Sequence, residues 1–367
     1  MDSLTQLVLG SAVSLAVMGR RTAAWKAGLW GAVAGTAPDL DALIDHGDAV
    51  LNMVLHRAET HALPLLALAS LPLGWAVARL HGETGQWRRW WLAMALVLLT
   101  HAGLDAMTVY GTQLWLPFTD RAFGVDSLFI IDPAYTLPLL VGALWAWSGW
   151  RGGQRANAVG LLLSSAYLAW SVLAQSLVLM QAQRSLAAAG LPSEQVLVTP
   201  APFSTVLWRV LSVETGAYHE GYYSLFDGGR PIRFASHPRG GDLLQRHGDH
   251  PHVQRMLRFS EGFVRLREVD GHLWLTDLRM GQEPAYVFEF QLASAASPEG
   301  PPVPAVRVGR RIDVAAGLPW LWARLRGADL PPFSEVVAQG TPSRSPGGPL
   351  ARPLDTPLPH TTGTRLP

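Results

Sequence analysis

The sequence predicts an α-helical membrane bundle of about six helices, followed by a smaller, mostly β domain and a disordered tail. Three observations carry that prediction. Six long apolar runs fill the first 180 residues, at 4–18, 25–37, 62–78, 90–99, 134–150 and 156–180. The basic residues between them alternate from loop to loop. After Met180 the texture changes to short β-branched and aromatic segments cut by turn residues.

Only the run at 156–180 clearly exceeds the roughly 20 residues that cross a hydrocarbon core. The shorter runs fit a compact bundle whose helix ends lie in the interface or are covered by protein. Arg20, Arg21 and Lys26 separate runs one and two, Arg79, Arg88 and Arg89 separate three and four, and Arg151 and Arg155 separate five and six. The other loops carry only Arg57 and Arg121. By the positive-inside rule this predicts six spans with both termini outside the cytoplasm. Trp25, Trp87, Trp90, Trp91, Trp147 and Trp150 crowd the basic loops, as an interfacial belt does. Gly31 and Gly35 form a small-residue packing face. Asp2 precedes the first run and no basic segment does, so that run does not read as a signal peptide.

Beyond the bundle, strands are expected at 195–198, 205–213, 222–226, 232–234, 256–259, 264–269, 273–278 and 286–292, with hairpin-type turns at Asp227-Gly228-Gly229 and Asp270-Gly271. The domain limits that follow are 1–182 for the bundle and 193–300 for the β domain. The Pro- and Gly-rich remainder is 301–367, with an amphipathic fragment at 318–325 and disorder from about 339. There is no internal repeat.

Composition narrows the chemistry. Charged residues make up 16% of the 367 against 49% hydrophobic, below the roughly 25% charge of soluble domains. Lys and Arg (29) balance Asp and Glu (28), which argues against a nucleic-acid partner. The chain has no cysteine, so a thiolate nucleophile and Cys-held metals are excluded, and any ion must be bound by His and carboxylate. P-loop, GxSxG and Rossmann fingerprints are absent.

The His and Asp residues of the first half gather in the Arg-poor loops, at one face of the expected topology. Pro38-Asp39-Leu40-Asp41 reads either as a helix stop or as two carboxylates pointing the same way toward a cation. His101 and Asp105 stand one helical turn apart, which suits one ion, an Asp that fixes the imidazole tautomer, or a helix-end hydrogen bond. His56 and His61 need a turn between them to converge. Arg57 could orient an anionic group or pair with Glu59 or Asp45. Asp126 and Asp132 precede run five, where Asp132 equally serves as a cap before Pro133. Ionisable groups at membrane depth usually mark function. Such a set suits Zn, Mn or Fe, and more than one ion.

The ordered motifs resemble the YdjM-like family of bacterial inner-membrane metal-dependent hydrolases. They are Met1-Asp2-Ser3-Leu4-Thr5-Gln6, Gly35-Thr36-Ala37-Pro38-Asp39-Leu40-Asp41, His56-Arg57 with Thr60-His61, His101 and Asp105 before Thr108-Val109-Tyr110-Gly111-Thr112, and Asp126 with Ile130-Ile131-Asp132-Pro133. Gly221-Tyr222-Tyr223-Ser224-Leu225-Phe226-Asp227 is similar to the longer subfamily with an extra C-terminal domain. The resemblance implies a membrane hydrolase, distantly similar to zinc-dependent phospholipase C and P1-type nucleases. Many relatives carry His where this chain has Gln6, and Ala58 and Ala62 replace the usual small pair around the histidines.

The expectation is therefore a multi-pass inner-membrane hydrolase acting on an ester or phosphoester, which includes lipid esters, with its β domain in the periplasm. His56, His61, His101 and Asp105 lead the expected metal ligands, then Asp39, Asp41, Asp126 and Asp132, and Asp2 last. The cofactor is a divalent ion, zinc first, in more than one copy. Asp41, Asp126 or Glu59 would act as base and Arg57 would orient the anionic group. The alternative is a non-enzymatic scaffold or ion-handling protein with a structural metal.

Overall fold

A computed structural model describes residues 1–294, 304–308 and 314–340. Each of the six apolar runs coincides with a helix: α1 (Ser3–Met18), α2 (Ala24–Thr36), α4 (Leu63–Leu80), α5 (Trp87–Asp105), α6 (Pro133–Trp147) and α7 (Gly153–Ala189). A short α3 (Ala49–Leu55) and two 3-10 turns, Pro38–Leu43 and Glu59–His61, lie between α2 and α4. Local signals set the ends. Asp2 caps α1, accepting from Thr5 N at 3.1 Å. Asp132 caps α6 ahead of Pro133, accepting from Ala134 N at 3.0 Å and Tyr135 N at 3.3 Å.

Small residues let the helices pack in antiparallel pairs. A Cβ on Gly10 of α1 would lie 2.2 Å from the carbonyl oxygen of Gly31 on α2, so no side chain is tolerated there. Gly160 of α7 meets the carbonyl of Pro138 on α6 in the same way, at 2.4 Å. The bundle core contains Leu15, Met18, Trp90, Met94, Leu128 and Leu139. Among the described residues, α4 and α7 are long and apolar enough to cross a membrane, and only 28% and 22% of their apolar windows are buried. A helix in the centre of a soluble protein would show the opposite. The helices α1, α2 and α6, at 16, 13 and 15 residues, are shorter.

The helix α7 has 37 residues, about 55 Å. Its first half packs on α6. In its second half Ala174, Val178 and Ala182 join Val198, Trp208 and Val210 in the core of a sheet. That sheet is antiparallel in the order β1 (Val196–Pro200), β2 (Leu207–Val213), β3 (Ala217–Ser224), β4 (Phe234–Pro238). Two short helices, α8 (Gly241–Arg246) and α9 (Pro251–Phe259), lead to β5 (Val264–Val269) and β6 (His272–Asp277), then to a small hairpin, β7 (Gly281–Gln282) with β8 (Ala285–Tyr286). The second sheet is completed by β9 (Glu289–Ser294) and β10 (Val306–Arg307), in the order β10-β9-β6-β5.

Three sequence expectations change here. The strand expected at 256–259 is the end of helix α9: Pro251 starts it and Val253, Met256 and Phe259 bury one face at helical spacing. Residues 286–292 divide between β8 and β9. Asp227-Gly228-Gly229 ends a 3-10 turn within a longer connection between β3 and β4, while Asp270-Gly271 does join β5 to β6. The amphipathic fragment lies in α10 (Val314–Leu325), which is followed by α11 (Phe333–Gly340). The tail expected to be disordered lies, after α11, outside the described residues.

One feature ties the halves together. Val50, Met53 and Val54 of α3, and Tyr110 from the loop after α5, pack with Val253, Met256, Leu275 and Phe290 of the β half. Asp48 caps α3 through Leu51 N at 2.9 Å, accepts from Ala305 N at 2.7 Å, and lies 3.2 Å from His252 Nε2.

Candidate metal centre

Antiparallel packing brings the start of α1, the end of α2, the turn before α4 and the end of α5 to one end of the bundle. Four of the expected ligands meet there. Asp39, His61, His101 and Asp105 each offer a ligand atom, and all four atoms lie within 4.8 Å of one another. Asp105 Oδ2 is 3.2 Å from His61 Nε2 and 3.5 Å from His101 Nε2; Asp39 Oδ1 is 3.4 and 3.6 Å from the same two atoms. His61, His101 and Asp105 are buried, and the Asp39 side chain keeps 18% of its exposure. His101 and Asp105 share a face of α5 because they are four residues apart.

The hydrogen bonds behind the rings set their tautomers. His101 Nδ1 donates to the Gly35 carbonyl at 2.7 Å. Thr60 Oγ1 donates to Asp41 and accepts from His61 Nδ1 at 2.9 Å. In the neutral state each ring thus carries its proton on Nδ1, and the two Nε2 lone pairs then face each other at 3.0 Å. Two acceptors at that distance repel unless a proton or a cation lies between them. Among the described residues, Asp105 Oδ2 and Gln6 Oε1 are buried with no hydrogen-bond partner. Two imidazoles, two carboxylates and orphaned oxygens fit a divalent cation of borderline hardness.

The surrounding residues hold this arrangement. Arg57 is buried with φ 63, its Nη2 3.3 Å from Asp105 Oδ1 and its Nη1 3.0 Å from Thr108 Oγ1. Its salt-bridge partner is Asp105, not Glu59 or Asp45. The guanidinium sits 4.9 Å over the Tyr110 ring, and its Nε has no partner among the described residues. Gln6 Nε2 donates to Asp105 Oδ1 at 3.0 Å and to the His101 carbonyl at 3.2 Å, and the Met1 amino group donates to Asp105. Asp41 lies one layer out, bonded to His56 Nδ1 at 2.7 Å and accepting from Arg57 N at 3.0 Å. Burial opposes its charge, but the bonds from His56 and Thr60 outweigh burial and hold its pKa at about 2.

The remaining candidates are elsewhere. His56 pairs with Asp41 at the edge of the cluster, its ring 6.1 Å from that of His61. Asp2 and Asp132 cap helices, and Asp132 also accepts from Tyr167 Oη at 2.9 Å. Glu59 is exposed. Asp126, at φ 63, lines a small cavity with Gly111, Gly124, Glu261 and Arg279, where burial pushes its carboxyl up to about 6. Gly35 O, Thr60, Thr108 and Tyr110 position the site but were not singled out from sequence, although all four lie inside the ordered motifs.

Fold and site together define a helical bundle with a buried Asp/His centre suited to a cation. Residues 1–178 match the family model of the YdjM inner membrane protein, the family that the ordered motifs resemble. The chain is also similar to the uncharacterized protein YfhP of Bacillus subtilis (strain 168). The two are 26% identical over 175 residues, which cover 46% of this chain and 53% of that relative. The chain thus spans about half the length of the curated relative it matches. No solved structure matches it.

Proposed function

We propose that the chain is a multi-pass protein of the bacterial inner membrane that hydrolyses an ester or phosphoester with the help of a divalent ion, zinc first. The observation that carries this reading is the pair of Nε2 atoms facing each other at 3.0 Å beside Asp39 and Asp105. Asp39, His61, His101 and Asp105 would hold the ion. Bound there, a divalent cation supplies Lewis-acid chemistry toward a phosphoryl or carbonyl oxygen and acidifies water. The protein's own groups orient and neutralise. Arg57, buried behind the cluster, balances Asp105. Asp41, ionised throughout the physiological range, holds His61 in its tautomer through Thr60. Asp39 is the ligand that reaches the surface.

Orientation follows the positive-inside rule. Lys26 pairs with Glu83 and Gln86 bonds to Arg21, so the basic loops gather at the bundle end opposite the cluster. On this reading the cluster and the β half would lie on the periplasmic side. A reporter fused after Pro192 that works only in the cytoplasm would reverse this.

The test is to purify the full chain in detergent, count bound ions, and assay bis-p-nitrophenyl phosphate and p-nitrophenyl acetate with and without His101→Ala. Stoichiometric metal and turnover, both lost in the variant, are expected. One observation favours a second reading, that of a scaffold with a structural ion: three of the four ligands are fully enclosed, as in closed structural sites. Bound metal without turnover on either ester would support it.

A further inference from the structure

The apolar surface of this protein does not stop at the end of the bundle. Ser164 Oγ bonds to Tyr135 O at 2.7 Å and Tyr167 Oη bonds to Asp132, so residues 164–167 of α7 stand level with the start of α6. Thr136 Oγ1 lies 2.8 Å from Thr5 Oγ1, which puts the start of α1 and the cluster at that level too. Past this level α7 still exposes Trp170, Leu173, Leu177 and Met180 at helical spacing. Below it, Val159 and Leu163 belong to the same stripe. From the level of the cluster to Met180 this exposed apolar stripe continues for about 20 Å along α7.

Several helices of the bundle are shorter than a hydrocarbon core. The helix α1, with 16 residues, is about 24 Å long, which leaves the cluster roughly 6 Å inside a 30 Å apolar layer. Alongside the exposed polar groups Asp45, Glu59 and Arg121, the chain around the cluster exposes large apolar side chains. On the turn that carries Asp39 and Asp41, Leu40, Leu43 and Ile44 point outward, with Leu43 82% exposed. The 113–118 segment is bonded beside Arg57 and Leu63 (Gln113 N to Arg57 O 3.0 Å, Leu63 N to Leu114 O 2.8 Å). It exposes Trp115 and Phe118, the latter 80%. Water gains nothing from these side chains, whereas acyl chains cover them at about 25 cal/mol per Å².

We infer that the centre opens sideways into the outer half of the bilayer and takes a phospholipid, whose headgroup phosphate reaches the cluster past Asp39 while its acyl chains lie along Leu43 and Phe118. The substrate half of this inference rests on the hydrolase reading; the opening does not. Hydrolysis would add the water oxygen to phosphorus, break one phosphorus–oxygen ester bond, and pass the proton of water to the departing alkoxide.

The chain has no cysteine, so single labels are direct. Leu43→Cys and Phe118→Cys would carry nitroxides in nanodiscs of phosphatidylethanolamine and phosphatidylglycerol. Leu163→Cys serves as the lipid-facing control and Glu268→Cys as the aqueous one. Both test positions should match Leu163, open to oxygen and closed to nickel-EDDA; a match to Glu268 overturns the sideways opening. Zinc-loaded protein would then be given dioleoyl phosphatidylglycerol in mixed micelles and, separately, glycerophosphoglycerol. The lipid should be turned over at least about tenfold faster, and a Leu43→Ser, Phe118→Ser double variant should remove that advantage while sparing the soluble ester. Equal rates overturn the lipid substrate and leave the hydrolase reading standing. Turnover of neither compound overturns the substrate and the hydrolase reading together, and the label depths still decide the opening.

Discussion

Each half of the molecule buries a cluster of charged groups, and the two are built on different principles. In the β half, Glu220 accepts from Arg209 Nε at 3.3 Å, from Tyr222 Oη at 2.6 Å and from Glu283 N at 3.2 Å; Glu283 pairs with Arg265, and Glu289 with Arg267. Three guanidinium groups answer three carboxylates, and the charges close on themselves. In the helical half, the two neutral imidazoles would present lone pairs to each other, and among the described residues Asp105 Oδ2 and Gln6 Oε1 have no donor. Burial of charge is common to both. What distinguishes a place for a cation is a surplus of acceptors that the protein does not satisfy.

Substitutions can break this contrast from either side. The largest effect is expected for Glu220→Gln, which leaves the buried Arg209 without its counter-charge. Thermal unfolding should show a loss of about 3–5 kcal/mol, with bound metal per folded chain unchanged. His101→Ala should do the reverse. It should weaken metal affinity by at least about 100-fold in a competition titration, roughly 2.7 kcal/mol, while changing the stability of the ion-free protein less. If Glu220→Gln strips the metal, or His101→Ala does not, the two clusters are not different in kind.

Asp126 sharpens the comparison as a half-buried carboxyl with neither kind of partner set. Its folded pKa of about 6 lies above the ordinary 3.8, so the folded state holds the proton more tightly than the unfolded one. Stability present below pH 4 is then lost as pH rises through 6. Asp126→Asn, which cannot ionise, should gain about 2 kcal/mol at pH 8 and nothing at pH 4, measured as unfolding temperature against pH. The smallest effect is expected at Asp132→Ala, where loss of the cap on α6 costs about 1 kcal/mol and leaves metal content intact. A fall in metal content would return Asp132 to the centre.

Much of the helical half was legible because apolar runs and their breaks are local. The Asp132-Pro133 pair marks a helix start that the structure reproduces. The error at α9 was local as well: Met256–Phe259 looks like a β segment until Pro251 and the threefold spacing back to Val253 are weighed with it. At the site, residue types and their loops could be read, but not which atoms meet. Asp39 and Asp41 look equivalent in an extended segment. In the 3-10 turn they diverge, Asp39 toward the imidazoles and Asp41 toward His56 and Thr60. That turn, and the positive φ of Arg57 that separates His56 from His61, depend on packing against α5 and α3. No spacing rule encodes them.

The short α3 carries a consequence of its own. Its C-terminal end continues directly into His56 and Arg57, while its apolar side is embedded among the sheets with Tyr110. The residues beside the candidate ion site are thus anchored in the other half. A protease nick or a softened strand far down the chain would register there as a distorted candidate site, with all four of its side chains still present.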